Sequence, residues 1–105
     1  MSCIFCQIIT REQPAEIVYE DDKVVAFSDT QPKAPVHILI VPRKHISSMQ
    51  DITDEDSEIL SAILLASKKI AKDKNIDDGY KLVFNVGKRG GQVVDHVHLH
   101  VLGGF

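Results

Sequence analysis

Cysteine is scarce in this chain of 105 residues: only Cys3 and Cys6 occur. They sit too close together to staple a core, so the domain has to fold without disulfide support. Long hydrophobic runs are missing as well. The apolar run Ile38–Pro42 falls far short of the ~20 residues that a spanning helix needs, and no charged segment followed by a long apolar stretch precedes the cysteines to suggest secretion. No membrane contact and a cytoplasmic location are therefore expected. An excess of positive charge is absent too: 12 Lys and Arg stand against 15 Asp and Glu, a net charge of -3. That excludes a general field for nucleic-acid backbones, and any phosphate site has to be local. Glycine and proline are dispersed, with no repeat or low-complexity stretch to divide the chain. What is present is 44% apolar and 26% charged residues, the composition of one ordinary globular domain over residues 1–105. A domain this small buries a modest share of its surface, so self-association as a homodimer is expected.

Local patterns divide the domain into helices and strands. Ile4, Phe5, Ile8 and Ile9 fall on one side of a short helix within Ile4–Thr10, ended by Pro14. Ile17–Glu20 and Lys23–Ser28 are β-prone runs around the polar turn Glu20-Asp21-Asp22-Lys23. Val36–Val41 predicts a strand buried on both faces and closed by Pro42. Thr53 is placed to open a long helix, with Asp54, Glu55 and Asp56 in its first turn. Ile59, Ile63 and Ile70 recur at helical spacing, lysines gather at the far end, and Gly79 marks the limit. Tyr80–Val86 and Val94–Leu102 give two further strands around the loop Gly87–Gly91. Strands in hairpin-length succession predict an α+β fold: a five-stranded antiparallel sheet with one long and one short helix.

The strongest chemical signal is His96-Val97-His98-Leu99-His100-Val101. On a strand the three histidines would share one face, with Val97, Leu99 and Val101 packing beneath the other. Adjacent protonated imidazoles repel, so at neutral pH most of such a row is neutral and titrates as a coupled set. A neutral imidazole can attack phosphorus and split one displacement into two through a covalent intermediate, while its neighbours handle protons and negative oxygens. Zinc binding is the rival use. Upstream, Gly90-Gly91-Gln92 lets backbone N–H groups converge on an anion, although a Gly-Gly pair alone is more often a hairpin turn. His37, inside an apolar strand, reads as a satisfied structural histidine.

The run Gly91–Leu102 resembles the signature of the histidine-triad (HIT) superfamily, His-φ-His-φ-His-φ-φ with φ apolar, preceded by Gly-Gln. Ile4-Phe5, Ile17–Ser28, Phe27-Ser28-Asp29, Ala34–Ile38, Pro42–Ile46, Gly79-Tyr80 and Asn85 fall in the order of its Hint branch, the histidine-triad nucleotide-binding proteins, so the resemblance spans essentially the whole chain. It implies a HIT-like fold pairing as a dimer. It also implies a purine nucleoside phosphoramidate hydrolase, cleaving the P–N bond of an adenosine 5'-monophosphoramidate or a lysyl-AMP-like adduct with no metal needed for chemistry. The resemblance makes His98 the nucleophile, brings His100 to the phosphoryl oxygens and departing amine, and gives His96 and His45 a relay that orients the nucleophile. Asn85 would bond the α-phosphate, and Gly91 with Gln92 and the backbone at Val93 would cradle it. Asp29 would accept from the ribose 2'- and 3'-hydroxyls, and Ile4, Phe5, Ile8 and Phe27 would form the base pocket for AMP, GMP or their phosphoramidates. Read as residues alone, Asp29 serves equally well to cap a turn, and Ile4 and Phe5 are ordinary core. Two other functions would use the same residues: a nucleotidyl transferase or dinucleoside polyphosphate hydrolase attacking P–O bonds, and a non-catalytic purine nucleotide sensor.

Three departures from the family pattern matter. Val93 stands where many relatives carry a hydroxyl that donates to the phosphate or leaving group. Asp95 replaces a common aromatic and is expected to favour a proton on His96, or a metal. The sequence stops at Gly104-Phe105, short of the segment that in many relatives reaches toward a partner subunit's site, so slower turnover and an open leaving-group choice are expected. Cys3 and Cys6 admit three accounts. They are two ligands of a structural zinc, completed, as in a branch of the family, by His45 and His96; or a redox pair; or small apolar residues in the core.

Overall fold

The computed structural model describes residues 3–105. Five strands, β1 (Ile17–Glu20), β2 (Val24–Ser28), β3 (Val36–Pro42), β4 (Tyr80–Phe84) and β5 (Leu99–Gly103), form one sheet in the order β1-β2-β3-β5-β4, and every neighbouring pair is antiparallel. A short helix α1 (Ile4–Ile9) and a long helix α2 (Ser57–Asp73) complete the expected α+β fold. Strand alternation sorts side chains between the two faces. Ile38 and Ile40 join Ile63, Ala66, Ile70, Leu99 and Val101 beneath α2, whereas Leu39 and Val41 join Phe5, Ile8, Val25 and Phe27 beneath α1. β3 is thus buried on both faces, as its unbroken apolar run predicts. Because α1 has only six residues, it covers part of its face and leaves the rest open.

Three differences from the sequence reading bear on the site, each with a local reason; β4 also ends at Phe84, two residues short of the expected Val86. The long helix starts at Ser57 and not beside Thr53, because the Asp56 carboxylate turns back to accept from the Thr53 N–H at 3.1 Å and tightens Asp54–Asp56 into a 3-10 turn. It ends at Asp73, well before Gly79, where Asn75 adopts a left-handed φ of 58° and the Ile76 N–H donates to the Ala71 carbonyl. The third difference matters most. Val94–His98 lie outside the sheet: the His96 N–H donates to the Val94 carbonyl at 2.9 Å, and the Val97 N–H to the Ile46 carbonyl at 2.7 Å. Only His100 of the three histidines is therefore on a strand, and the single row on one strand face does not form.

Candidate active site and metal centre

The turn at Val94–His98 sends the histidines to two places. His98 and His100 line a cavity of about 580 Å³ on the α1 face of the sheet, whereas His96 points away from it. Ile4, Phe5, Ile8, Phe27, Asp29, Asn85, Gly91 and Val93 line the same cavity, so the fold brings together eight positions drawn from distant parts of the chain. Gln92, His45 and His96 do not line it. α1 is the hinge of the arrangement: the Phe5 ring meets His98 edge-on at 5.1 Å, Phe27 at 5.4 Å and His96 at 5.9 Å.

Hydrogen bonds fix the protonation of each ring. Nδ1 of His98 lies 2.7 Å from the backbone carbonyl of His96. A carbonyl only accepts, so Nδ1 carries a hydrogen, and in the neutral ring the lone pair is the one on Nε2. His96 thus orients His98 through its main chain and not its ring. His37, the residue that sequence reasoning assigned to structure alone, is buried and fully partnered, but one of its partners is His100. The Lys33 N–H donates to its Nδ1 at 3.0 Å, which leaves Nε2 as the donor toward His100 Nδ1 at 2.9 Å, with an Asp29 carboxylate oxygen 3.4 Å from the same nitrogen. His100 must then hold its hydrogen on Nε2, 3.3 Å from the Asn85 side-chain amide. The atom facing it is Asn85 Nδ2, so donation from His100 requires the amide to be turned until its oxygen faces the ring. Burial pushes His37 below the usual histidine range, against the pull of Asp29. His100 is held down at about 4, first by burial and then by His98 and His37. Parity along β3 is the signal that could have found His37: it shares the Leu39 face, and Leu39 pairs directly with His100.

The glycine loop differs from expectation in detail. Its N–H groups at Gly90, Gly91 and Gln92 donate to the carbonyls of Gly87, Lys88 and Gly87, so they are not free for an anion. The Val93 N–H has no partner among the described residues. Gly91 takes a left-handed φ of 89°, which brings its Cα beside the Asn85 side chain. Gln92 is a brace: its Oε1 accepts from the Gly87 N–H at 2.9 Å, and its Nε2 donates to the carbonyls of Ser47 at 2.7 Å and Val94 at 2.9 Å. The Val93 side chain is 90% exposed at the cavity mouth.

His96 and His45 meet the two cysteines on the far side of Phe5. Nε2 of His96 donates to the Pro42 carbonyl at 2.8 Å, so its Nδ1 lone pair faces Cys3 Sγ at 3.4 Å, Cys6 Sγ at 3.6 Å and His45 Nδ1 at 3.1 Å. Cys6 Sγ lies 3.3 Å from His45 Nδ1. A tetrahedral zinc with nitrogen and sulfur donors separates them by roughly 3.3–3.8 Å, so this set fits the ion closely. The thiols argue the same way: burial and the adjacent Cys3 push Cys6 up to about 11, a cost to thiolate formation that a divalent cation reverses. Asp95 is exposed and takes no part, and burial moves His96 below its usual range, contrary to the expected favouring of a proton there. Asp29, His37 and His100 also bring three donor atoms together, but His37 already accepts at Nδ1 and so must keep its hydrogen on Nε2. In that tautomer His37 has no free lone pair to offer an ion.

Comparison with known proteins gives a consistent result. A family described as "Scavenger mRNA decapping enzyme C-term binding" matches residues 2–104. A HIT-like protein of Synechocystis sp. is 50% identical over 101 residues, 96% of this chain and 89% of the relative. Among solved structures, a HIT family hydrolase from Legionella pneumophila superposes with a TM-score of 0.97 at 50% identity, covering 99% of this chain and 94% of that one. A histidine triad nucleotide-binding protein from Candida albicans gives 0.87 at 40% identity, covering 95% and 73%.

Proposed function

Because the chain belongs to the HIT family, in its Hint-like branch, we propose that it is a hydrolase of purine nucleoside phosphoramidates that works through a nucleotidyl-histidine intermediate. The observation that carries this reading is the 2.7 Å contact between His98 Nδ1 and the His96 carbonyl, which assigns the neutral ring's nucleophilic lone pair to Nε2 beside the cavity. Phe27, Phe5, Ile4 and Ile8 offer an apolar slot for a purine, Asp29 accepts from the ribose hydroxyls, and Asn85 with the Val93 N–H binds the α-phosphate.

The steps follow from the tautomers. His98 Nε2 attacks phosphorus, and the P–N bond breaks as the amine departs with its bonding electrons. The amine takes up a proton as it leaves, and the His100 Nε2–H, backed by His37, is placed to give it. Water then attacks the nucleotidyl-histidine: its oxygen bonds phosphorus, the bond to His98 Nε2 breaks and its electrons restore the lone pair. The proton that water sheds returns to His100 as the nucleoside monophosphate leaves. Dinucleoside polyphosphates would use the same nucleophile. We assign Cys3, Cys6, His45 and His96 to a structural zinc, which would fix α1 against the His96 turn. The edge strand β4, with Leu82 exposed, and α2, with Leu64 and Leu65 exposed, supply the apolar surface for a homodimer.

The test is turnover of an adenosine 5'-phosphoramidate by the wild-type protein and by His98→Ala. Loss of the nucleophile should lower kcat by at least about 10³-fold while AMP still binds; undiminished turnover would overturn the reading.

A further inference from the structure

Sheet order fixes the two ends of the cavity. Phe27 on β2, with Phe5 and Ile8 of α1, closes one end; in the order β2-β3-β5-β4 the same face then passes Leu39 and His37, His100 and Leu102, and finally Val83. Val83 pairs directly with His100 across the ladder, and Leu102 follows His100 at the two-residue spacing that returns a strand to one face. Both are half-buried and line the cavity. The Asn85 side-chain amide lies 3.3 Å from His100 Nε2, and Gly91 sits against Asn85, so the loop that leads into Val93 borders this same end. A lone exposed valine means little, but Val93, 90% exposed, is the third apolar side chain at one end of one cavity. Charge is as one-sided. Apart from the histidines, the only charged side chains lining the cavity are Asp29 and Lys33, both on the loop between β2 and β3, whereas the loop before Val93 exposes Lys88 and Arg89.

Resting on the phosphoramidase reading above, we propose that Val83, Leu102 and Val93 form a leaving-group subsite for amines with an uncharged aliphatic substituent, and that Val93 sets this choice. With the purine between Phe5 and Phe27 and phosphorus at His98, an amine that departs beside His100 carries its substituent toward the β4 end. An aliphatic chain there covers the Val93 side chain and removes it from water. An ammonium in the same place meets no lining carboxylate and stands near two cations, so a lysine-derived adduct is the poorer substrate. The departure at Val93 thus changes which amine leaves and not which phosphorus is attacked.

The test compares the adenosine 5'-phosphoramidates of isoamylamine and putrescine as substrates of the wild type and of Val93→Ser, which keeps the backbone N–H and shortens the apolar wall. Wild-type kcat/KM should favour the isoamyl substrate by at least about tenfold, the factor that one well-placed methylene supplies. Val93→Ser should shrink that preference by about three- to tenfold. Comparing the ratio between two proteins cancels the intrinsic reactivity of the two amines. Equal kcat/KM for both substrates in the wild type, or a preference left unchanged by Val93→Ser, would overturn the assignment. If the wild type cleaves neither substrate, the phosphoramidase reading fails, and the Kd values of the isoamyl and aminobutyl esters of AMP, measured by calorimetry, still decide the subsite. Tighter binding of the isoamyl ester by the wild type, lost in Val93→Ser, supports it; equal values overturn it.

Discussion

Lowering the pH from 7.5 to 4.5 should destabilise this protein through its histidines, ahead of Asp21 and Asp56. His100 falls from an ordinary value of 6.5 to about 4 on folding. A group that prefers its neutral form when folded contributes stability fully above its unfolded pKa, and loses it as pH falls toward the folded one. The relevant window is therefore about pH 6.5 down to 4. The full shift corresponds to roughly 3 kcal/mol at 1.36 kcal/mol per pKa unit, and His100 is partly open to solvent, so screening reduces this to about 1–2 kcal/mol. His37, displaced in the same direction by burial, adds to the loss. Asp21 and Asp56 are both held below the carboxylate range, Asp21 by hydrogen bonds that outweigh its burial and Asp56 mainly by Lys44, and so act only at lower pH. The assay is urea denaturation at half-unit pH steps, with His100→Gln as the comparison, since glutamine can still accept from His37 but cannot titrate. The wild type should lose stability across the window and the variant should lose about 1–2 kcal/mol less. Parallel curves for the two proteins would refute the assignment of the shift to His100.

Other predictions follow from single contacts. Gln92→Ala removes three hydrogen bonds from a buried brace; it should cost about 2–4 kcal/mol and lower Tm by roughly 10–20 °C, measurable by calorimetry. Cys6→Ser should abolish zinc found by elemental analysis of protein purified without chelator, whereas Asp95→Asn should leave zinc unchanged, because Asp95 is exposed and outside the cluster. Phe5→Ala opens the wall shared by the cavity and the metal cluster. It should cost about 3–4 kcal/mol and raise the KM for purine substrates more than it lowers kcat.

How far the sequence foretold this structure differs from element to element. β3 was legible because four consecutive aliphatics at 38–41 have no other home than a strand covered on both sides. Val94–His98 was misread for an instructive reason. Val97 and Leu99 do enter the core beneath α2 while His98 faces the cavity, so the alternation is real, but it reports which way side chains point and not whether the backbone is paired. The backbone there bonds to Ile46, a partner that no period-two pattern can disclose. The cavity residues were legible as a set through family resemblance. The hydrogen-bond order among them was not, since His37 and His100 are 63 positions apart and meet only through the β3–β5 register. The separation of His96 from His98 was likewise invisible, because it depends on one tight turn and on the carbonyl of Pro42.

The central claim is that His98 carries the nucleotide between the two displacements. Rapid acid-free quenching of the wild-type protein with an adenosine phosphoramidate, followed by fragmentation mass spectrometry of the peptide holding His96, His98 and His100, tests it most directly. One adenylyl group should map to His98 and be missing from His98→Ala. Its absence from the wild type during active turnover, or its location on His96 or His100, would contradict the account.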